Sequence, residues 1–372
     1  MLRGKPVLSD SAVEPQHAFV HGSKLHEAVI VDGYNVELKD KDGFIGDRAS
    51  KRAFFSILEK RREQMRQASE DPLGDTPTEE LKKKAIERAL TDGNLEAAGL
   101  VHGAAEEFAQ QLASVANRFL KLKSWRGTER IVVGGGFRSG QLGELVISRA
   151  SVLLQAQHGH KIEFVPIRHH PDEAGLLGNI HVVPAWMLSG YDSMLAVDIG
   201  GSNIRVGLVE LKREKDKSLK SASVCSTELW KHAEDEDPGR DECIDRLVTM
   251  LTKQIAAAGK QGLSLAPLIG IACPGQITED GSIEKGAQNL PGNWESSRFN
   301  VAHSIQARIP TIGANETIVM VHNDAVVQGL SETPWMQDVK RWGILTIGTG
   351  LGNARFTNRV PKKQTRKKPV TG

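Results

Sequence analysis

The run Leu195-Ala196-Val197-Asp198-Ile199-Gly200-Gly201-Ser202-Asn203-Ile204-Arg205-Val206-Gly207-Leu208-Val209 constrains the fold more than any other stretch of the chain. Apolar residues fill its first half, a Gly-Gly pair interrupts it, and apolar residues then alternate with others, which predicts strand, tight turn, strand. Adjacent glycines let backbone N–H groups approach a bulky anion, and Ser202 and Asn203 add side-chain donors, so the turn suits a phosphate group. Asp198, at the end of the incoming strand, is placed to hold the Mg²⁺ of a nucleotide, directly or through water. In isolation an ordinary hairpin with a structural Asp reads the same way. A second loop of the same kind favours the phosphate reading.

That second loop follows the apolar strand Gly343 to Ile347, turns at Gly348-Thr349-Gly350-Leu351-Gly352-Asn353 and continues through Ala354, Phe356 and Thr357. A third glycine cluster, Gly134-Gly135-Gly136, ends the buried strand 131–133 and precedes a helical stretch from Glu144 to Gln155. A dinucleotide site would need a third glycine where Ser139 stands, which argues against it. Ile318 to Val321 reads as a buried strand that runs into His322-Asn323-Asp324, with a helix from Ala325 to Glu332. Phosphoryl transfer needs donors around the phosphates, a Mg²⁺, and a carboxylate to accept the proton of the attacking hydroxyl. The glycine loops, Asp198 and Asp324 supply that set.

Elsewhere the pattern predicts a strand at Ala28 to Val31, an amphipathic helix from Ala49 broken at 71–75, and another helix starting near Thr76-Pro77-Thr78-Glu79. A long buried helix is expected over 97–122, a strand over 162–165, and a helix from Pro171 to about Met187. His169-His170 fits a helix-start role better than a metal site, because sequence neighbours rarely point at one ion. A strand near 222–229, a helix over 244–258 and a buried strand over 268–273 follow. The stretch from Gly275 to Trp294 is too irregular for regular structure and is the kind of loop that carries function.

At 372 residues, 39% hydrophobic and 25% charged, the chain can bury two substantial cores. Forty-eight basic residues against 46 acidic ones give a net charge of +2, so nothing in the whole-chain balance points to nucleic acid or membrane. From Arg355 onward the basic residues Arg359, Lys362, Lys363, Arg366, Lys367 and Lys368 meet no acid, which reads as a solvated or an anion-binding tail. Cys225, Cys243 and Cys273 match no zinc spacing and suit a reducing compartment. Without a signal-peptide or membrane-length apolar run, a cytoplasmic protein is expected.

These blocks resemble the ROK family of sugar kinases and regulators. Asp198 to Arg205 looks like that family's first phosphate loop, Pro274-Gly275 with Asn289-Leu290-Pro291-Gly292 and Trp294 like its substrate-side loop, and Asn323-Asp324-Ala325 like its catalytic motif. Gly348 to Asn353 looks like the second phosphate loop, while Gly134 to Gly136 and Ala174-Gly175-Leu176 resemble the adenine-side loop and the closing helix. The last two normally come at the C-terminal end and here come first. The resemblance therefore implies an α/β, two-lobed actin-like (ribonuclease H-like) sugar kinase fold with circularly permuted chain order. One lobe would comprise 193–312, joined through helix 171–190 to a discontinuous lobe of 313–372 plus 1–168.

The same resemblance implies ATP and Mg²⁺ as cofactors, Asp324 as general base, and a glucose-like hexose as acceptor. Asp198 would hold the metal; Gly200, Gly201, Ser202, Asn203, Gly348, Thr349, Gly350, Gly352, Gly134, Gly135 and Gly136 would hold the nucleotide; Asn289, Gly292, Asn323, His26 and Asp47 would hold the sugar. The family's Glu-x-x-His-like sugar motif aligns with Ser23-Lys24-Leu25-His26, so its Glu is gone, and Asp47 is the carboxylate nearest the place of a second one. The cysteine-rich zinc loop is absent, so no structural zinc is expected. No helix-turn-helix precedes the kinase-like region, which argues against the repressor branch; no nucleic acid or membrane partner is expected, and a homodimer is a candidate assembly. A non-catalytic sugar or nucleotide sensor on the same fold is the alternative.

Overall fold

The computed structural model describes residues 26–359, apart from 42, 160 and 237; Ser23-Lys24-Leu25 and the basic residues from Lys362 onward lie outside the described residues. The chain opens with strand β1 (Val29–Tyr34) and the short hairpin β2 (Lys39–Asp40) and β3 (Gly43–Phe44). Helices α1 (Lys51–Arg66), α2 (Lys83–Thr91) and α3 (Leu95–Leu120) follow, then β4 (Arg130–Gly134), α4 (Gln141–His158), β5 (Glu163–Pro166) and α5 (Pro171–Gly178). The second half runs β6 (Ser193–Ile199), β7 (Ile204–Glu210), β8 (Ser223–Trp230), α6 (Arg240–Lys260) and β9 (Leu265–Cys273). After β10 (Gln276–Ile277) and β11 (Ile283–Lys285) come α7 (Val301–Arg308), β12 (Thr311–Ile312) and β13 (Asn315–Glu316). The last elements are β14 (Ile318–Asn323), α8 (Asp324–Leu330), β15 (Arg341–Ile347) and β16 (Leu351–Asn358).

The main strands form two five-stranded mixed sheets, β14-β9-β6-β7-β8 and β1-β16-β15-β4-β5. In the first, β6, β7 and β8 meander antiparallel and β9 and β14 add in parallel beside β6. The second repeats this plan, with β15, β16 and β1 as the meander and β4 and β5 as the parallel pair. Strand for strand, β6, β7, β8, β9 and β14 correspond to β15, β16, β1, β4 and β5. Parallel neighbours need crossovers, and helices supply them: α6 and α7 in the first sheet, α3 and α4 in the second. The result is two mixed sheets flanked by helices, consistent with the two-lobed arrangement that the resemblance implies.

Alternation along the strands divides the interior into layers, because successive side chains face opposite sides of a sheet. Leu195, Val197 and Ile199 of β6 face an outer core with α6 and α7, whereas Met194 and Ala196 face a central core. On β15, Leu345 and Ile347 join the outer core under α1, α3 and α4, and Trp342 and Ile344 join the same central core. Between the two sheets lie α5 and α8, through Ala174, Leu176, Leu177, Ala325, Val326 and Val327. The buried Leu and Val side chains among these each contribute about 1.5–3 kcal/mol relative to exposure. The two helices touch backbone to backbone, since a Cβ on Gly178 would overlap the Val327 carbonyl.

Four local expectations change. The helix expected over 171–187 stops at Gly178 and continues as two 3-10 turns, Asn179–His181 and Ala185–Leu188, because Pro184 lacks an N–H and disfavours helix at the residue before it. The start expected at Thr76 to Glu79 is a 3-10 turn, Thr78–Glu80, since the Thr78 hydroxyl is bonded to Arg62 and Glu59 instead of capping a helix. The irregular stretch after Gly275 contains the small β10–β11 hairpin. The lobe boundary expected after residue 312 does not follow the sheets: β14 pairs with β9, Ile318 opposite Leu268, so residues through Asn323 complete the sheet that starts at Ser193.

Candidate active site

Both glycine hairpins, the N-terminus of α8 and the start of α5 open on one cleft of about 500 Å³. The β6–β7 turn is closed by Gly200 N–H donating to the Asn203 carbonyl at 2.8 Å, and the β15–β16 turn by Gly348 N–H donating to the Gly350 carbonyl at 2.9 Å. Gly201, Ser202, Asn203, Thr349 and Gly352 line the cleft with them, and a Cβ on Gly350 would meet no atom within 4 Å beyond its chain neighbours. Gly135 takes a positive φ of 83° and packs so closely on Ile347 that no Cβ fits, which docks the third glycine loop against the second hairpin.

Asp324 enters the cleft as the first residue of α8. The residue before it, Asn323, is buried and caps the helix, its Oδ1 accepting from Ala325 N–H at 3.0 Å and Val326 N–H at 3.3 Å. Its Nδ2 donates to the Gly275 carbonyl at 2.8 Å, which ties the end of β14 to the loop that follows β9. Asn323 is therefore a positioning group and does not line the cleft. Burial raises the Asp324 pKa, opposed by the Ala325 N–H bond and by Asn323.

Asp198 is 7% exposed, and its pKa is pushed up to about 6 by burial, with the charges of Asp324 and Asp172 adding and Arg205 opposing. Arg205, opposite Asp198 across the β6–β7 ladder, is shared: one guanidinium nitrogen is 4.0 Å from the Asp198 carboxylate and another bonds Asp172 at the start of α5. In the second sheet Thr346 takes the place that Asp198 has in the first, sixth along β15 as Asp198 is along β6, so the cleft has one strand-end carboxylate.

The part of the cleft near Gly135 and Gly136 has an apolar wall of Phe54, Leu81, Ile86, Phe137 and Leu142 and two cations, Lys51 and Lys83. Lys51 N–H donates to the Gly348 carbonyl at 2.9 Å, so α1 starts against the second hairpin. Burial lowers the Lys83 pKa, opposed by Glu87, and its ammonium reaches Ser139 and the Gly136 carbonyl. Flat apolar walls with flanking cations suit a purine base followed by phosphates. A larger hollow of about 810 Å³ lies outside α1, but its buried cation is engaged: Arg62 donates to Asp71, Thr76, Thr78 and Gly74 at 2.6–2.8 Å.

Of the residues expected to contact sugar, only Asn289 lines the cleft, packed over Gly201. Gly292 takes φ 71° in a turn pressed on Arg240. Asp47 is exposed on a 3-10 turn beside Gly46, which packs on Leu351. His26 lies beyond the far end of β1, bonded through Nδ1 to the His181 carbonyl at 3.1 Å, because β1 runs toward the cleft and reaches it at Asn35. Gly134 is under the floor, against Gln328. His170 caps α5, Nδ1 accepting from Asp172 N–H, which fits the helix-start reading. Sequence reasoning missed Asn35, Lys51, Lys83, Asp172, Arg205, Gln328 and Thr346 as cleft residues. Only Arg205 carried a signal, its place in the alternation after the glycine turn.

Among the described residues no group of three or more His, Cys, Asp or Glu is placed to hold a metal ion, and no helix is long and apolar enough to cross a membrane. No protein-family model matches the sequence, and no curated protein matches it significantly. Among solved structures, the chain is similar to a candidate N-acetylmannosamine kinase of Listeria monocytogenes, at 23% identity over 45% of this chain and 47% of that one, with a TM-score of 0.32. A candidate sugar kinase of Cytophaga hutchinsonii follows at 16% identity over 45% and 48%, TM-score 0.31. A Ppx/GppA family member of Aquifex aeolicus is 12% identical over 63% and 82%, TM-score 0.29. The matched region spans about half the length of the two kinase chains.

Proposed function

We propose that the cleft transfers the γ-phosphoryl group of ATP to a hydroxyl of a glucose-like hexose, with Asp324 as general base. One observation carries this reading: two glycine hairpins from topologically equivalent sheets meet the Asp324 carboxylate in a single cleft. The hairpin N–H groups and the side chains of Ser202, Asn203 and Thr349 would hold the phosphates. Asp324 takes the proton as the acceptor oxygen bonds to the γ-phosphorus and the bond to the ADP oxygen breaks; a carboxylate pKa raised by burial moves toward the range a base needs near neutral pH. Closure of the lobes would exclude water, the competing acceptor.

Asp198 fits a hard divalent cation: it is a buried carboxylate whose nearest cation, Arg205, is 4.0 Å away and shared with Asp172. A single protein carboxylate is also what Mg²⁺ takes when phosphates and water complete its shell. Bound there, Mg²⁺ would neutralise charge on the transferred phosphoryl group.

The permuted chain order is part of the same proposal and is supported by the strand order. In the first sheet the strands follow in sequence, whereas the third strand of the second sheet, β1, comes from the other end of the chain. The proposed lobes are then 193–323 and, discontinuously, 341–358 with 29–166, with α5 and α8 between them. A sensor without catalysis is the second reading, favoured by the absence of His26, Asp47 and Gly292 from the cleft lining. Incubation with Mg²⁺, ATP and a panel of hexoses, with ADP release measured against a sugar-free control, separates the two. Sugar-dependent ADP release supports the kinase; tight sugar or nucleotide binding without it supports the sensor.

A further inference from the structure

Strand β1 delivers a short strap, Tyr34 to Glu37, from its own sheet to the β10–β11 hairpin beside the cleft. On its own side the strap is held by Asn353: Asn35 N–H donates to the Asn353 carbonyl at 2.9 Å, Val36 N–H to Asn353 Oδ1 at 3.0 Å, and Asn353 Nδ2 to the Val36 carbonyl at 3.1 Å. On the far side the Tyr34 hydroxyl donates to the Ile277 carbonyl at 3.0 Å and accepts from Ile277 N–H at 3.3 Å. Lys285 and Glu37 add an ion pair at 3.9 Å. The strap thus joins the second glycine hairpin to the loop beside Asp324.

Asn35 is the residue of this strap that faces the cleft. Its φ of 48° is a conformation that Asn tolerates better than most residues, and it turns the side chain out of the strand direction. The amide nitrogen packs on Gly286, at 3.4 Å from where a Cβ would stand, and Gly286 packs in turn on Gly275, whose carbonyl holds Asn323 next to Asp324. Asn35 therefore sits on the acceptor side of the general base, and its carboxamide makes no hydrogen bond to another described residue. The neighbouring wall, Pro274, Gly286, Ala287, Asn289 and Leu290, carries no charge. The Lys51 ammonium lies over the Phe55 ring at 5.5 Å, the Lys83 ammonium reaches Ser139 and the Gly136 carbonyl, and Arg205 is engaged by Asp172 and Asp198.

We propose that Asn35 is a substrate-contacting residue that brackets an uncharged, hydroxyl-bearing acceptor against Asn289 from the opposite lobe. This rests on the hexose-kinase reading. A carboxamide offers both a donor and an acceptor to a hydroxyl, and two of them on separate lobes recognise a polyol only when the lobes are closed. An anionic acceptor would meet Asp198 and Asp324 with no free cation on this wall. The strap also explains how loss of the expected His26 contact leaves acceptor recognition in place: the same strand supplies Asn35 at its cleft end.

Calorimetry on the full chain with Mg²⁺ and a non-hydrolysable ATP analogue tests this directly, titrating glucose, mannose, N-acetylglucosamine and glucose 6-phosphate into the parent, Asn35→Gly and Asn35→Asp. Glycine keeps the positive φ without the carboxamide, and aspartate keeps the shape with the donor removed. The expected result is binding of at least one neutral sugar, weakened about tenfold in both variants, with nucleotide affinity within about twofold of the parent. Equal sugar affinity in parent and variants overturns the inference and leaves the kinase reading standing. Preference for glucose 6-phosphate, or nucleotide binding with no neutral sugar bound, also overturns it. Sugar binding weakened as expected, but with no ADP release by the parent, would uphold Asn35 and reject the kinase reading.

Discussion

The Asp198 carboxylate lies directly against the α-carbon of Gly175, where a Cβ would come within 2.7 Å of both carboxylate oxygens. Helix α5, from the N-terminal half of the chain, thus closes over the strand-end acid of β6, and it does so only because residue 175 lacks a side chain. Gly175→Ala is expected to push the carboxylate aside, at an overpacking cost of about 1–3 kcal/mol. Mg²⁺-dependent nucleotide affinity should fall while Mg²⁺-free affinity changes little, which denaturant unfolding and calorimetry with and without the metal would measure.

Asp324→Asn keeps the shape of the helix start and removes the base. Asn323 still caps α8, so the fold and nucleotide affinity should stay near those of the parent. Turnover should fall by about 10² to 10⁴. Steady-state ADP release alongside nucleotide calorimetry checks both halves, and a near-parental kcat would remove Asp324 from the mechanism.

Asp198 makes stability depend on pH with a definite sign. Its pKa is raised from 3.8 to about 6, so between those values the folded protein holds a proton that the unfolded chain has released. Stability therefore falls as pH rises through that window, and above it the charged group stays buried at full cost. Asp198→Asn should stabilise the metal-free protein by about 3 kcal/mol above pH 6, with the gain shrinking to nothing below about pH 4. Thermal melts of both proteins across pH 4 to 8 read this out, and a gain that grows toward low pH would contradict it.

The parts of the site that were legible in the sequence are those built from local chain. Asp198 with Gly200-Gly201, Gly348 to Gly352, and Asn323-Asp324 each combine a buried strand and the turn or helix that follows it, so periodicity and glycine placement locate them. Asn289 was legible as a cleft residue, but the Asn35 end of the cleft was not, because it depends on register between distant strands. His26 and Asn35 are nine positions apart on one segment, and only the pairing of Tyr34 with Ala354 and Val29 with Asn358 decides which of them reaches the cleft. Lys51 and Lys83 were hidden for a similar reason: they begin helices whose sequences report amphipathicity, not what their first turns face. The close packing of Gly178 on the Val327 carbonyl was hidden too, since no local pattern names that neighbour.

Arg62 holds the segment 71–78 onto α1 from a fully buried position, donating to Asp71, Gly74, Thr76 and Thr78. Removing the guanidinium leaves the 5%-exposed Asp71 carboxylate and two carbonyls without this partner. Arg62→Met should cost about 3–5 kcal/mol, the range for breaking a buried pair on one side. Because this segment leads into Leu81 and Lys83 of the cleft, nucleotide affinity should fall with stability. Denaturant unfolding measures the first effect, and calorimetry below the onset of unfolding measures the second.

The division of one sheet between the two ends of the chain has the largest consequence for folding. β15 lies between β16 and β4, and β16 between β15 and β1, so the hairpin at Gly348 has partners from the N-terminal half on both sides. A fragment of residues 193–358 retains the whole first sheet but strips β15 and β16 of β4, β5 and β1. It also loses α5, which covers the central face of β6 through Leu176 and Ala174. Trp342, Ile344 and Phe356, buried in that central core, would be uncovered together. The fragment is therefore expected to lack the parent's cooperative melt and to bind hydrophobic dyes, whereas two independent domains would each melt as a unit. Mixing it with a separately produced fragment 26–192 should restore one transition if the sheet reassembles between chains. Cooperative melting of 193–358 alone at the parent's temperature would show instead that the second hairpin is stable without β1 and β4.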